Sequence, residues 1–435
     1  MTRRVAPVAP VVMVAFVAGL LSVVASCKKT KPALEEKTKL VFWHIQTSDP
    51  TKGIIDAAVK RFEAKHPGVQ VEVVPIKNDP YKTKLRVAVG AGQAPDIFHT
   101  WGGAPLAEYA EAGAVADLSG FMDDEWRARL LPSAMALCQK GEAVYAVPQD
   151  VGVVVLWFNE TLLKSEGVPP PEDFSSWLES IKYLRQQDVI PVALGNKEGW
   201  PGAFLFDYSL ERMLGREETS RLLNDPTQWE DDRVIEAYGK LQTLKDAGAF
   251  QEDFNAAGYD QSRMLFFTGR SAMTIMGSWL LAHCTKEMPD FLKDLSLTRF
   301  PQVEGGAGNG TVLGGVNSAF AVSSSCQEKS IAVELLRELT SEETLTAWAE
   351  AGRLPAAFLD EPPTGAPRQW LDLKKILDEA DSLACYFDQS FPPRLAEKHK
   401  ELIQRVLMGD QTPEGAAKAF AQEAKALQSE TGMEE

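Results

Sequence analysis

The chain has 435 residues, enough for two domains or one large α/β unit with two cores, and its 45% hydrophobic and 24% charged residues are those of a globular protein. A net charge of −16 argues against a nucleic-acid partner, which would want a basic face.

The first residues carry a targeting signal. Arg3 and Arg4 precede an apolar run from Val11 to Ala25, and small residues lead to Cys27. That run is short for a membrane span. The ending "VASC" matches the bacterial lipobox, so residues 1–26 are expected to be removed and Cys27 to carry a lipid. Residues 27–39 then form a polar tether between membrane and domain. Beyond Cys27 stand Cys138, Cys284, Cys326 and Cys385, an even number that allows three pairings for two disulfides or equally four buried thiols.

"KLVFWH" (39–44) opens the mature chain as a buried strand, and apolar residues from Ile54 to Phe62 recur at helical spacing. "VQVEVVPI" (69–76) is a second strand. "DPYKTKLRVAVGAG" (79–92) is a helix with an Asp cap, Pro in its first turn and a glycine stop. "DIFHT" (96–100) is a third strand, so the order β-α-β-α-β predicts a parallel sheet covered by helices. In such sheets ligands sit beyond the carboxyl ends of the strands. His44 to Ser48 follow the first strand and His99 to Gly102 the third, two adjacent ends bearing polar and aromatic groups.

In "AVYAVPQDVGVVVLWFN" (143–159) a proline separates two apolar strands, as expected where the chain crosses between lobes. Residues 171–187 read as an amphipathic helix with an acidic start, 190–195 as a strand and "NKEGWPGAFLF" as a loop entering a helix. Residues 232–248 are helical, "GRSAMTIMGSW" is a strand ending at Trp279, and 300–323 is a Gly-rich loop followed by a returning strand. From Gln327 the chain is mainly helical, broken by the loop 351–367.

No "GxSxG", "HExxH", P-loop or "GxGxxG" occurs, and the five His never fall at helical ligand spacing, so neither a cofactor nor a metal is expected. The acidic clusters 123–125 and 230–232 could mimic paired catalytic carboxylates but read as helix starts or solvated loops. Tryptophan carries the signal. Of the ten, Trp43, Trp101, Trp200 and Trp279 stand at the ends of elements, whereas Trp177, Trp348 and Trp370 fall inside helices and read as core. A pyranose lays its C–H face on an aromatic plane and offers its hydroxyls to carboxylates, amides and Arg. Asp150, Asn317 and Arg353 supply those groups.

With these residues assembled, the chain resembles the extracellular solute-binding proteins of ABC importers, in the carbohydrate-binding cluster that includes maltose- and glycerol-phosphate-binding proteins. "LVFWH", "AAVKRFEAKHPGVQVEVV", "AGQAPDIF", "VYAVPQDVGVVVLWFNETLL", "GRSAMTIMGSW" and "LIQRVLMGDQTPEGAAKAFAQEAKAL" carry the resemblance, in order along nearly all of the mature chain. It implies an α/β periplasmic-binding-protein fold of two lobes with a ligand cleft and hinge between them. The lobes are expected at 40–148 with 319–378, and at 149–318 with 379–435. The resemblance places Trp43, His44, Gln46, Trp101 and Gly102 on the first lobe's lip and Asp150 near the hinge. It places Trp200 and Trp279 on the second lobe, Gly315 and Asn317 at another crossing, and Arg353 on a loop facing the cleft. It implies a non-catalytic monomeric receptor, held at the periplasmic or extracellular face by its lipid anchor alone. The expected ligand is a mono- or oligosaccharide, delivered to the ABC permease subunits. A non-sugar solute (a glycerol phosphate ester, polyamine or peptide) and a secreted carbohydrate-active enzyme are the alternatives.

Overall fold

The computed structural model describes residues 37–361 and 363–431; the expected signal peptide, Cys27 and nearly all of the tether lie outside them. The first lobe starts as the hydrophobic pattern predicts. Strand β1 (Thr38–His44) pairs in parallel with β2 (Val69–Pro75) and with β3 (Ile97–Thr100). The helices Thr51–Lys65 and Asn78–Gly90 make the two crossovers. The second of these has Lys77, not an aspartate, at its N-cap, and Asp79 lies inside the first turn near the dipole's positive end.

After a small hairpin of β4 (Gln139–Lys140) and β5 (Ala143–Val144), the chain enters β6 (Val147–Asn159), all 13 residues of which are buried. The expected break at the proline does not occur: Pro148 is the second residue of one continuous strand. Its missing N–H is tolerated because the pairing with β10 (Thr311–Val322) shifts register between Ser318 and Ala319, opposite Pro148.

β6 and β10 hold the molecule together. The N-terminal half of β6 pairs with β10, which runs antiparallel beside β3, so both belong to the first lobe's sheet. From Val154 onward β6 pairs instead with β8 (Ser271–Gly277), itself parallel to β7 (Ile190–Val192), while β9 (Leu295–Thr298) lies along the other edge of β6. The full order is β2-β1-β3-β10-β6-β8-β7, with β11 (Leu354–Pro355) on β6 and β12 (Ser382–Ala384) on β10.

Aliphatic and aromatic side chains fill both lobes. Phe42, Phe62 and Ile97 pack with Leu336 and Trp348 in the first. Trp157, Trp177, Phe206 and Trp229 lie in the core that runs through the second, and Trp370 is buried with them. The acidic clusters start helices: Asp123 caps Asp124–Arg129 and Asp231 caps Asp232–Asp246. Cys138, Cys284, Cys326 and Cys385 are all free thiols. Among the described residues no helix is long and apolar enough to cross a membrane.

Candidate functional site

The site is built where β6 and β10 pass from one lobe to the other. Asp150 sits on β6 with 1% of its surface exposed. Its Oδ2 accepts from Arg353 Nε at 2.8 Å, from Arg353 Nη2 at 2.7 Å and from Asn317 Nδ2 at 3.2 Å. The guanidinium of Arg353 also lies over the Trp348 ring, 5.4 Å from its centroid. One oxygen of the carboxylate is thus fully committed, while Oδ1 is buried and has no protein partner.

Two residues on, Gly152 faces Gly315 across the strand pair. A Cβ at Gly152 would stand 2.7 Å from the Tyr386 hydroxyl, 3.1 Å from the Trp279 ring and 3.4 Å from Asn317 Cβ. Glycine is therefore what lets these groups from both lobes converge on the crossing strands. A Cβ at Gly315 would meet Cys385 and Tyr386 at ordinary contact distances.

The first lobe contributes the end of β3. His99 and Trp101 pack edge to face at 4.6 Å, and Tyr81, whose hydroxyl donates to the His99 carbonyl, closes against both rings. Gly102 and Gly103 both hold positive φ, at 71° and 62°. A Cβ on Gly103 would lie 2.8 Å from the Gln389 carbonyl of the opposite lobe, so the lobes touch here. His44 is fully buried, and its Nδ1 accepts from the Gln46 N–H. Burial drives the His44 imidazole down to about 4 and His99 to about 3, so both are neutral at neutral pH.

The second lobe answers with aromatic planes. Trp200 opens the helix Trp200–Asn224, its ring 6.1 Å from that of Trp279 and 5.4 Å from Tyr259. Phe204, one turn on, packs between Trp279 and Tyr386. Burial raises the Tyr259 and Tyr386 hydroxyls well above the usual phenol range, so both stay protonated donors. His44 Nε2, His99 Nδ1, Thr100 Oγ1, Asp150 Oδ1, Trp200 Nε1, Tyr259 Oη, Tyr386 Oη and Gln389 Oε1 are all buried without a protein partner. Such atoms also occur in the cores, but Asp150 Oδ1, His99 Nδ1, Trp200 Nε1 and Tyr386 Oη belong to the residues that meet at the crossing strands and the lip, where unused donors and acceptors mark a polar site.

Of the residues singled out from sequence, Asp150, Asn317 and Arg353 come together directly, as do Trp200 and Trp279. Gly315 lies on the same strands and Trp101 and Gly102 on the facing lip. Trp43 stands apart, its ring covered by Lys84 Nζ at 4.2 Å, and Gln46 accepts from the Thr51 hydroxyl. Tyr386, Tyr259, Gln389, Phe204 and Gly152 join the site without having been foreseen. Two open surface depressions, each of about 520–530 Å³, lie elsewhere, beside residues 166–183 and between the helices starting at Thr51 and Glu342. Among the described residues no group of His, Cys, Asp and Glu could hold a metal ion.

Two α/β lobes joined by shared strands over a polar, aromatic cleft define a ligand-binding protein of the periplasmic-binding type. The chain belongs to the bacterial extracellular solute-binding proteins, whose family model matches residues 47–345. It is similar to an uncharacterized ABC transporter extracellular-binding protein of Pyrococcus horikoshii, 26% identical over 258 residues, 56% of each chain. It is also similar to the multiple sugar-binding protein of Streptococcus mutans, 22% identical over 348 residues, 78% of this chain and 81% of that one. The match thus spans little more than half of the first relative's length. A solved structure from work on xylan utilization by the thermophilic bacterium Caldanaerobius polysaccharolyticus superimposes with a TM-score of 0.85 at 29% identity. It covers 88% of this chain and 99% of that one.

Proposed function

We propose that the protein is the substrate-binding component of an ABC importer, receiving a mono- or oligosaccharide between its lobes and passing it to a membrane permease without chemical change. The observation that carries this reading is the meeting, at β6 and β10, of aromatic planes with unpartnered buried donors and acceptors from both lobes. A sugar ring needs a flat apolar surface for its C–H face and close to complete hydrogen bonding for its hydroxyls. A closed cleft provides both, and hinge closure over the ligand creates the form that a permease distinguishes.

The lobes meet on β6 and β10. The helix Arg368–Asp378 goes with the second lobe in this reading, since Gln369 Nε2 donates to the Leu292 and Leu295 carbonyls. The protein works as a monomer outside the cytoplasmic membrane, anchored through lipid on Cys27. A thermal-shift screen across neutral oligosaccharides, glycerol phosphates, polyamines and short peptides tests the ligand class. At a hundredfold excess over Kd a ligand stabilises the folded form by about 2.7 kcal/mol. The reading expects a rise in melting temperature with a saccharide; a rise with one of the other classes alone would overturn it.

A further inference from the structure

Lys82 stands out among the basic residues. Every other Lys or Arg that is buried or half-buried among the described residues has a hydrogen-bond or ion-pair partner, as Arg61 has Glu338, Arg263 has Glu287 and Lys400 has Glu397. The half-buried Lys82 has neither. Its ammonium lies 4.9 Å from the centroid of the Trp101 ring at the cleft's lip. Burial lowers its affinity for a proton, and the charges felt there are Asp388 and Lys400 of the second lobe, then Asp79 and Glu397. Lys400 is already bonded to Glu397. Asp388 is half-buried and also lacks a hydrogen bond or ion pair. It follows Phe387, whose N–H is fixed by Asp207 Oδ2 at 3.1 Å, and precedes Gln389, whose carbonyl abuts Gly103.

Lys82 lies over Trp101, two residues before Gly103, and Asp388 precedes Gln389, whose carbonyl abuts Gly103; an unpartnered ammonium and an unpartnered carboxylate thus flank one lip of the cleft without forming an ion pair. Groups withdrawn from water in this way are costly unless something between them completes their bonding. We propose that Lys82 and Asp388 grip the outer end of the ligand, a saccharide unit stacked on Trp101, and that they select uncharged saccharides. This deepens the saccharide reading and rests on it. A hydroxyl accepts from the ammonium and donates to the carboxylate at once. A uronate's carboxylate accepts only and meets Asp388 and Asp79; an amino sugar's ammonium donates only and meets Lys82.

The test is calorimetric titration of the protein, Lys82→Met, Lys82→Arg, Asp388→Asn and Trp101→Ala with neutral and charged trisaccharides. The probes are xylotriose, raffinose and triacetylchitotriose against trigalacturonate and chitosan trimer. The expected result is binding of at least one neutral probe, with the charged ones at least tenfold weaker. Lys82→Met and Asp388→Asn each lose tenfold or more, Lys82→Arg retains most of the affinity, and Asp388→Asn narrows the discrimination against trigalacturonate. Should a neutral probe bind the parent and lose affinity only in Trp101→Ala, the grip is wrong while the saccharide reading stands. Binding of a charged probe as tight as the neutral ones refutes the selectivity. Failure of every probe to bind removes the saccharide reading and the grip with it.

Discussion

Arg353→Met removes a guanidinium and keeps most of the stem's volume. In the protein that guanidinium makes two bonds to Asp150 Oδ2, at 2.8 and 2.7 Å, with both side chains 6% exposed or less. Breaking a buried pair by deleting one partner typically costs about 3–5 kcal/mol, since the remaining charge is left uncompensated. Loss of the contact over Trp348 adds up to about 1 kcal/mol. Asn317 Nδ2 still donates to Asp150, which limits the damage, so a loss of about 4 kcal/mol is expected in urea denaturation. The double variant Arg353→Met/Asp150→Asn no longer buries a lone charge and recovers at least half of that loss. A single variant within about 1 kcal/mol of the parent, or a double variant as unstable as the two single losses summed, would refute the account of a clamp at the crossing.

Trp101→Ala is expected to weaken ligand binding by about 1–2 kcal/mol, from lost stacking area, with little change in melting temperature. Gly152→Ala drives a methyl toward the Tyr386 hydroxyl and the Trp279 ring; titration should show at least a tenfold loss of affinity, and melting a stability loss of about 1–3 kcal/mol. The folded protein resists protonating His44 down to about pH 4 and His99 down to about 3, whereas unfolded histidines titrate near 6.5. Below that value the unfolded state binds more protons, so stability falls with pH, by about 2 kcal/mol for each histidine at pH 5. Urea midpoints at pH 7.5 and 5.0 measure this, and His99→Gln should shrink the difference; a flat profile contradicts it. Because all four cysteines of the folded domain are free, reductant should leave the melting temperature unchanged, and a drop would reveal a disulfide.

The first lobe was legible because its signals are local. The β-branched alternation of residues 69–75 and the glycines and prolines around 90–103 mark strands and turns within a few residues of themselves. The cleft was only half legible. Asp150 and Arg353 were picked out as polar groups facing a ligand, but they are 203 residues apart in sequence, and nothing local shows that each takes up most of the other's bonding capacity. Trp43 and His44 were placed on one lip, yet successive residues of a strand point to opposite faces. Trp43 lies under Lys84 beside the helix Asn78–Gly90, whereas His44 is buried on the other side. Tyr386 and Gln389 come from a stretch holding a four-residue helix, too short to leave a periodic signal. Lys82, in a helix that also carries the exposed Lys84 and Arg86, looks like any solvated lysine until Trp101 and the opposite lobe are placed beside it.

The most direct measurement is a calorimetric titration of the protein with a neutral oligosaccharide, followed by chromatography of the ligand recovered from the cell. The account predicts saturable binding of one saccharide per chain, abolished or much weakened in Asp150→Ala, with the sugar recovered intact. Recovery of shortened products would identify an enzyme. Full affinity in Asp150→Ala would place the ligand somewhere other than the crossing strands.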